Sequence, residues 1–320
     1  MANARLLEVE ALTKHYPVRT GLLQRTTATV RAVDGVSFHL DASETLGVVG
    51  ESGCGKSTVA RCVLRLVEPT SGKLTLNGTD ITHLDRNAVR PYRRQLQAVF
   101  QDPYSSLNQR MRAFDIVAEP LRNFDLPVDR GVISALFERV GLRPEQMQHY
   151  PHEFSGGQRQ RLVIAKALAL RPALIVCDEP VSALDVSVQA QVINLLTELQ
   201  DEMGIAYLFI AHDLAVVEHI SHRIAVMYLG EIVELADKRD LFDEPLHPYT
   251  QALLAAVPIP DPEVERDKLV LAGDVPSPMA PPPGCRFHTR CPFAFDRCRS
   301  ERPELRELRP GHHAACHLHD

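Results

Sequence analysis

No apolar run in the 320 residues reaches the roughly eighteen needed for a membrane-spanning helix, so the chain is not expected to cross a bilayer by itself. The start, MANARLLEVEALTKHYP, has no apolar stretch followed by a small-residue cleavage site. No secretory signal is read there, and the cytosol is the expected compartment. Excess positive charge is missing too. The formal net charge is −6, which argues against a broad nucleic-acid-binding face, although not against a local basic groove. No internal repeat with a solenoid-like period is found. With 45% hydrophobic and 24% charged residues the composition is that of an ordinary globular protein, neither disordered nor fibrous. The 7 cysteines are not read as a disulfide framework, because the cytosol keeps thiols reduced.

Those cysteines divide unevenly. Cys54, Cys62 and Cys177 lie in apolar or motif contexts, where a free cysteine behaves as a small hydrophobe. Cys285, Cys291, Cys298 and Cys316 are gathered near the C-terminal end. Between about 258 and 283 the chain is too rich in proline for helix or central strand, and it reads as a linker into a small cysteine-bearing tail. Ahead of the linker, short apolar runs alternate with helical patterns. ETLGVVG (44–50), ALIVCD (173–178) and IAYLFIAH (205–212) read as buried strands. A helix is predicted from about Ser57 to Val67, and another carries Val188, Val192, Leu195, Leu196, Leu199 and Met203 on one stripe until Gly204 ends it. Strand–helix–strand order with continuous apolar strands predicts an α/β fold around a mostly parallel sheet.

Gly50-Glu51-Ser52-Gly53-Cys54-Gly55-Lys56-Ser57-Thr58 fits the pattern G-x-x-x-x-G-K-S/T between a predicted strand and a predicted helix. Its glycines let backbone N–H groups curl around phosphate oxygens, Lys56 reaches the outer phosphates, and the Ser57 hydroxyl suits Mg²⁺. The matching acidic strand end is Ala173-Leu174-Ile175-Val176-Cys177-Asp178-Glu179. Asp178 is placed to hold Mg²⁺ directly or through water, and Glu179 to polarise the attacking water as general base. Alone, such a pair merely ends a strand and opens a turn at Pro180; beside a phosphate loop the catalytic reading is favoured.

Phe154-Ser155-Gly156-Gly157-Gln158 opens a helix with a hydroxyl, exposed N–H groups and a helix N-terminus, all suited to a phosphate. It resembles the signature sequence of ATP-binding-cassette (ABC) ATPases, with Phe154 where leucine is commoner. The resemblance implies a phosphate-loop NTPase fold with a parallel core sheet, an antiparallel β subdomain and a helical subdomain at about 103–170. It also implies ATP sandwiched head to tail between two subunits. Tyr16 is similar to the aromatic that stacks on adenine, and Gln101 in VFQDP to the glutamine that contacts Mg²⁺ and the attacking water. Asp185 in SALD resembles the loop at the dimer interface, and His212 in IAHD the histidine that contacts the γ-phosphate. By this resemblance the cassette occupies 1–245, leaving 246–320 as a C-terminal region.

In that region HPYTQALL (247–254) and GCRFHTRCP (284–292) resemble the ATPase subunits of dipeptide and oligopeptide importers, as does SALDVSVQAQV before them. The match is closest to the second of their two paired ATPase subunits. The implied partners are two transmembrane permeases, a paralogous ATPase subunit in a heterodimer and an extracytoplasmic substrate-binding protein. The implied location is the cytoplasmic face of the inner membrane. Related subunits serve nickel, glutathione and murein-peptide importers, and a soluble cassette ATPase is a further alternative.

Cys285, Cys291, Cys298 and Cys316 are spaced more widely than the usual zinc pairs. Cysteine-only ligands with wide gaps suit a bulkier iron–sulfur cluster, and some relatives are thought to carry a 4Fe–4S centre there. Zn²⁺, with His288, His312, His313 or His317 competing as ligands, and unligated thiols are the alternatives.

Overall fold

The computed structural model describes residues 5–20, 25–256 and 273–320. They divide into two compact units. Besides the start of the chain, the first holds Leu40–Thr45 and Leu84–Ile210; the second holds Leu7–His39, Leu46–His83 and Ala211–Asp320.

The first unit is built on three parallel strands, Leu96–Phe100, Leu174–Asp178 and Ala206–Ile210. Leu96 pairs with Leu174 and Leu174 with Ala206, so the three strands end level, at Phe100, Asp178 and Ile210. All residues of LIVCD and AYLFI are buried. A strand covered on both faces has no polar side to alternate with, hence its unbroken apolar run. The helix Val186–Met203 buries Val192, Leu195, Leu196 and Leu199, and it stops where Gly204 turns left-handed at φ 67°. The same unit carries a helical region with Ala113–Asn123, Arg130–Arg139 and Gly156–Leu168. Asp129 caps the second of these helices by accepting the N–H groups of Gly131 and Val132. Lys166 of the third meets Glu119 of the first at 2.7 Å.

In the second unit the strand Thr45–Val49 runs parallel to Arg223–Tyr228, which pairs antiparallel with Glu231–Asp237. The C-terminal region then adds His312–Ala314 against Glu231–Asp237, and Arg306–Arg309 beyond it. A separate antiparallel sheet is formed by Arg25–Asp41, Arg5–Thr20, Ser71–Leu76 and Thr79–Asp80 in that order. Of the proline-rich stretch, 257–272 lies outside the described residues, and 273–283 holds neither helix nor strand. The helix after the phosphate loop spans Lys56–Val63, shorter than expected, because the chain turns left-handed at Arg65, with φ 51°. Among the described residues no helix is long and apolar enough to cross a membrane.

Candidate functional site

The phosphate loop leaves the buried strand Thr45–Val49 and enters the helix Lys56–Val63. Its glycines are fixed by close approach and by backbone angle. A Cβ on Gly50 would lie 2.1 Å from the Met227 carbonyl oxygen, and one on Gly55 2.1 Å from that of Ala32. Gly53 has open space around it but φ 80°, a conformation that side chains rarely adopt. Lys56 is 5% exposed, and its ammonium donates to the carbonyls of Gly50 at 2.6 Å and Glu51 at 3.1 Å. The loop is thus curled around its own lysine, with Ser52 and Gly53 outermost and exposed. The helix N-terminus at Gly55 has no side-chain cap, so the positive end of the helix dipole there suits an anion.

In the first unit, Asp178 is buried at the carboxyl end of its strand, and Glu179 follows with φ 51°, its N–H donating to the Ile210 carbonyl at 2.9 Å. A left-handed glutamate is an uncommon backbone state, and such states gather at functional positions. Gln101 is exposed immediately after the neighbouring parallel strand, so Gln101 and Glu179 leave adjacent strands at the same level. Asp102, next in line, caps the turn Pro103–Ser106.

Ser155 caps the helix Gly156–Leu168 reciprocally with Gln158. The Gln158 N–H donates to Ser155 Oγ at 3.3 Å, and the Ser155 N–H to Gln158 Oε1 at 3.0 Å. Phe154, the departure from leucine, is 2% exposed and meets His149 edge-on at 5.9 Å, so it serves as a core anchor behind an exposed cap. Gly157 lies against the next helix, where a Cβ would come 2.5 Å from Val188 Cγ1. Asp185 is exposed at the start of that helix and makes no side-chain cap. In the second unit Tyr16 is 36% exposed on its strand, with the Lys14 ammonium 5.0 Å from its ring centre. His212 is exposed just before Asp213, which caps the helix Leu214–Ile220.

Residues 33–182 match the ABC transporter family, and residues 233–298 match the oligopeptide/dipeptide transporter C-terminal region. A probable peptide ABC transporter ATP-binding protein of Sinorhizobium fredii is 58% identical, over 98% of this chain and 90% of its own length. This chain belongs to the ATP-binding subunits of ABC transporters. The oligopeptide transport ATP-binding protein AppF of Bacillus subtilis is 53% identical over 98% of this chain and 97% of its own length. Among solved structures, a component of an ABC transporter complex of Clostridium perfringens superposes with a TM-score of 0.65 at 26% identity, covering 75% of this chain and 92% of that one. A dimeric bacterial ABC transporter cassette does so with a TM-score of 0.64 at 27% identity, covering 73% of this chain and 99% of that one. The fold is the expected phosphate-loop NTPase of the ABC type, and the protein is an ABC ATPase.

The expected metal centre of this ABC ATPase's C-terminal region is not borne out. Among the described residues no group of three or more histidine, cysteine, aspartate or glutamate side chains is arranged to hold a metal ion. Cys285, Cys291, Cys298 and Cys316 form no disulfide. Burial, with the neighbouring thiols adding to it, pushes Cys285 up to about 12 and Cys316 up to about 11, and burial also raises Cys291. Three of the four competing histidines make other contacts: His288 with the Cys285 carbonyl, His312 with Glu234, and His317 with Asp320 and the Glu301 carbonyl. The region instead supplies two contacts to the phosphate loop that sequence reasoning missed, from Tyr249 and Arg290 to Glu51. Both lie in segments whose likeness to importer subunits is visible in the sequence, but no spacing rule ties them to a loop so far away.

Proposed function

We propose that this ABC ATPase subunit powers the import of dipeptides and oligopeptides through partner permeases. The observation that carries this reading is the near full-length likeness to peptide and oligopeptide transport ATP-binding proteins, which includes the C-terminal region at 233–298. The partners in this reading are two transmembrane permeases, a paralogous ATPase subunit and an extracytoplasmic substrate-binding protein. The subunit then works at the cytoplasmic face of the inner membrane.

Bound Mg·ATP supplies the phosphoanhydride bond whose hydrolysis drives the cycle. The loop from Gly50 to Thr58 would hold the phosphates, with Lys56 neutralising the outer ones and Tyr16 stacking on the base. Ser57, Gln101 and Asp178 would hold Mg²⁺; their hydroxyl, amide and carboxylate oxygens suit a hard cation. Glu179 takes the proton from the attacking water at its carboxylate, Gln101 orients that water, and His212 offers a hydrogen bond to charge developing on the transferred group. Ser155, Gly156, Gly157, Gln158 and Asp185 serve the nucleotide held by the partner subunit, since one chain already has a phosphate loop of its own. Preorganised donors and positioning supply the acceleration.

Deleting this subunit from its host should abolish uptake of a labelled dipeptide or oligopeptide. The parent chain should restore uptake, and Glu179→Gln should not. Unchanged peptide uptake together with lost uptake of nickel or glutathione would move the substrate assignment to those related importers.

A further inference from the structure

Every polar group of Glu51 is held, and half of the grip comes from the far end of the chain. Its N–H donates to the Tyr249 hydroxyl at 2.8 Å, across 198 residues of sequence. Its carbonyl accepts from Lys56 at 3.1 Å and from the Cys54 N–H at 3.2 Å. Its carboxylate takes both arms of Arg290, at 2.7 and 3.0 Å, across 239 residues. The Arg290 side chain is 7% exposed.

These two residues are held firmly. The rings of Tyr228, Tyr249 and Phe287 pack with centroids 4.8 to 5.4 Å apart, and all three are buried. The Arg290 guanidinium lies 6.0 Å from the Tyr228 ring centre. Arg286, one turn earlier, pairs with Asp34 and Glu231 and donates to the Leu229 carbonyl.

Glu51 puts a negative charge one residue inside a loop that must receive a polyphosphate. Left uncompensated, that charge repels the ligand. A planar guanidinium that meets both carboxylate oxygens removes the repulsion and fixes the direction of the side chain. We propose that Arg290 and Tyr249 are positioning residues for nucleotide binding: the C-terminal region latches the first turn of the phosphate loop, Arg290 by neutralising Glu51 and Tyr249 by holding its N–H. This rests on the ABC ATPase reading of the loop. The latch makes nucleotide affinity a property of the C-terminal region as well as of the cassette.

The test is calorimetric titration of the full-length subunit with Mg·ATP, in a Glu179→Gln background that holds hydrolysis off. Arg290→Ala should weaken binding about tenfold, because truncating one partner leaves a half-buried charge unpaired. Adding Glu51→Gln should recover most of the loss, since it removes the charge that Arg290 was neutralising. Arg290→Lys should fall between, and Tyr249→Phe, which keeps the ring packing, should weaken binding about threefold through the lost hydroxyl alone. Unchanged affinity in Arg290→Ala overturns the proposal, as does a loss that Glu51→Gln fails to rescue, because Arg290 would then act by packing only. Should Arg290→Ala not fold, Arg290→Lys and Tyr249→Phe carry the test, and parental affinity in both overturns it. Failure of the Glu179→Gln background itself to bind ATP would strike the phosphate-loop reading instead.

Discussion

The carboxylate of Glu234 and the imidazole of His312 meet at 2.7 Å with their side chains 0% and 1% exposed. They join the strand Glu231–Asp237 to the C-terminal strand His312–Ala314. The same carboxylate accepts the N–H groups of Leu246 at 2.7 Å and His247 at 2.9 Å. Burial alone would raise the Glu234 carboxyl pKa, but the bonds from His312 and from those two N–H groups outweigh it and hold the group below its ordinary value. Removing one partner of such a pair leaves a buried group unsatisfied. His312→Ala is therefore expected to cost about 3 kcal/mol of stability in equilibrium urea unfolding. A loss within experimental error would mean that this contact does not anchor the C-terminal strand.

His247 gives a pH prediction. Burial holds its imidazole far below the ordinary range, from 6.5 down to about 4, despite the nearby Glu234 carboxylate. Its Nδ1 accepts the Tyr249 N–H at 3.1 Å, a bond that needs the neutral ring. The folded pKa is depressed, so the contribution is fully present above about 6.5 and is lost as pH falls towards 4, where the unfolded chain binds a proton and the folded chain does not. The loss should approach about 3 kcal/mol at the lower end, at about 1.4 kcal/mol per pH unit. Replacing His247 by Gln should flatten stability against pH within that window. An identical pH profile in the variant would exclude His247 as its source.

Glu179 is the third target. Its left-handed backbone at φ 51° directs the residue away from the line of the strand that ends at Asp178. Glu179→Gln keeps the shape of the side chain and removes its proton acceptor. Mg·ATP binding should persist while hydrolysis falls about 10²- to 10⁴-fold. Turnover within twofold of the parent would assign the general base elsewhere.

Much of this was legible in the sequence because it is local. Strands such as LIVCD and AYLFI announce themselves by unbroken apolar runs, and the phosphate loop by its glycines, of which Gly50 and Gly55 leave no room for a Cβ. The Ser155–Gln158 cap is written within four consecutive residues. What stayed hidden depends on tertiary contact. Glu51 looks like any variable residue of the loop, and its pairing with Arg290 exists only because the C-terminal region folds into the same unit as the phosphate loop. The spacing of the tail cysteines suggested ligands, but the described residues hold no group of three or more side chains arranged for a metal ion, and side-chain arrangement is a tertiary property that spacing does not fix.

Gly157 separates the role of the signature segment from that of the phosphate loop. A Cβ there would come 2.5 Å from Val188 Cγ1, too close without movement, so Gly157→Ala must displace the start of the helix Gly156–Leu168 or that of Val186–Met203. Overpacking of this kind typically costs about 1–3 kcal/mol. The displaced groups include the exposed Ser155 cap and the neighbourhood of Asp185, whereas the loop from Gly50 to Thr58 is built by other strands. ATP binding by the single subunit should therefore stay near the parental affinity, while hydrolysis by the assembled transporter falls at least about tenfold, the rate equivalent of 1.4 kcal/mol. Adding Val188→Ala removes the colliding methyl and should restore most of the rate. Rescue would show that the glycine is needed for clearance between the two helices. A double variant as slow as Gly157→Ala alone would instead mean that the Cβ obstructs the nucleotide face directly, and that clearance from Val188 is not what the glycine provides.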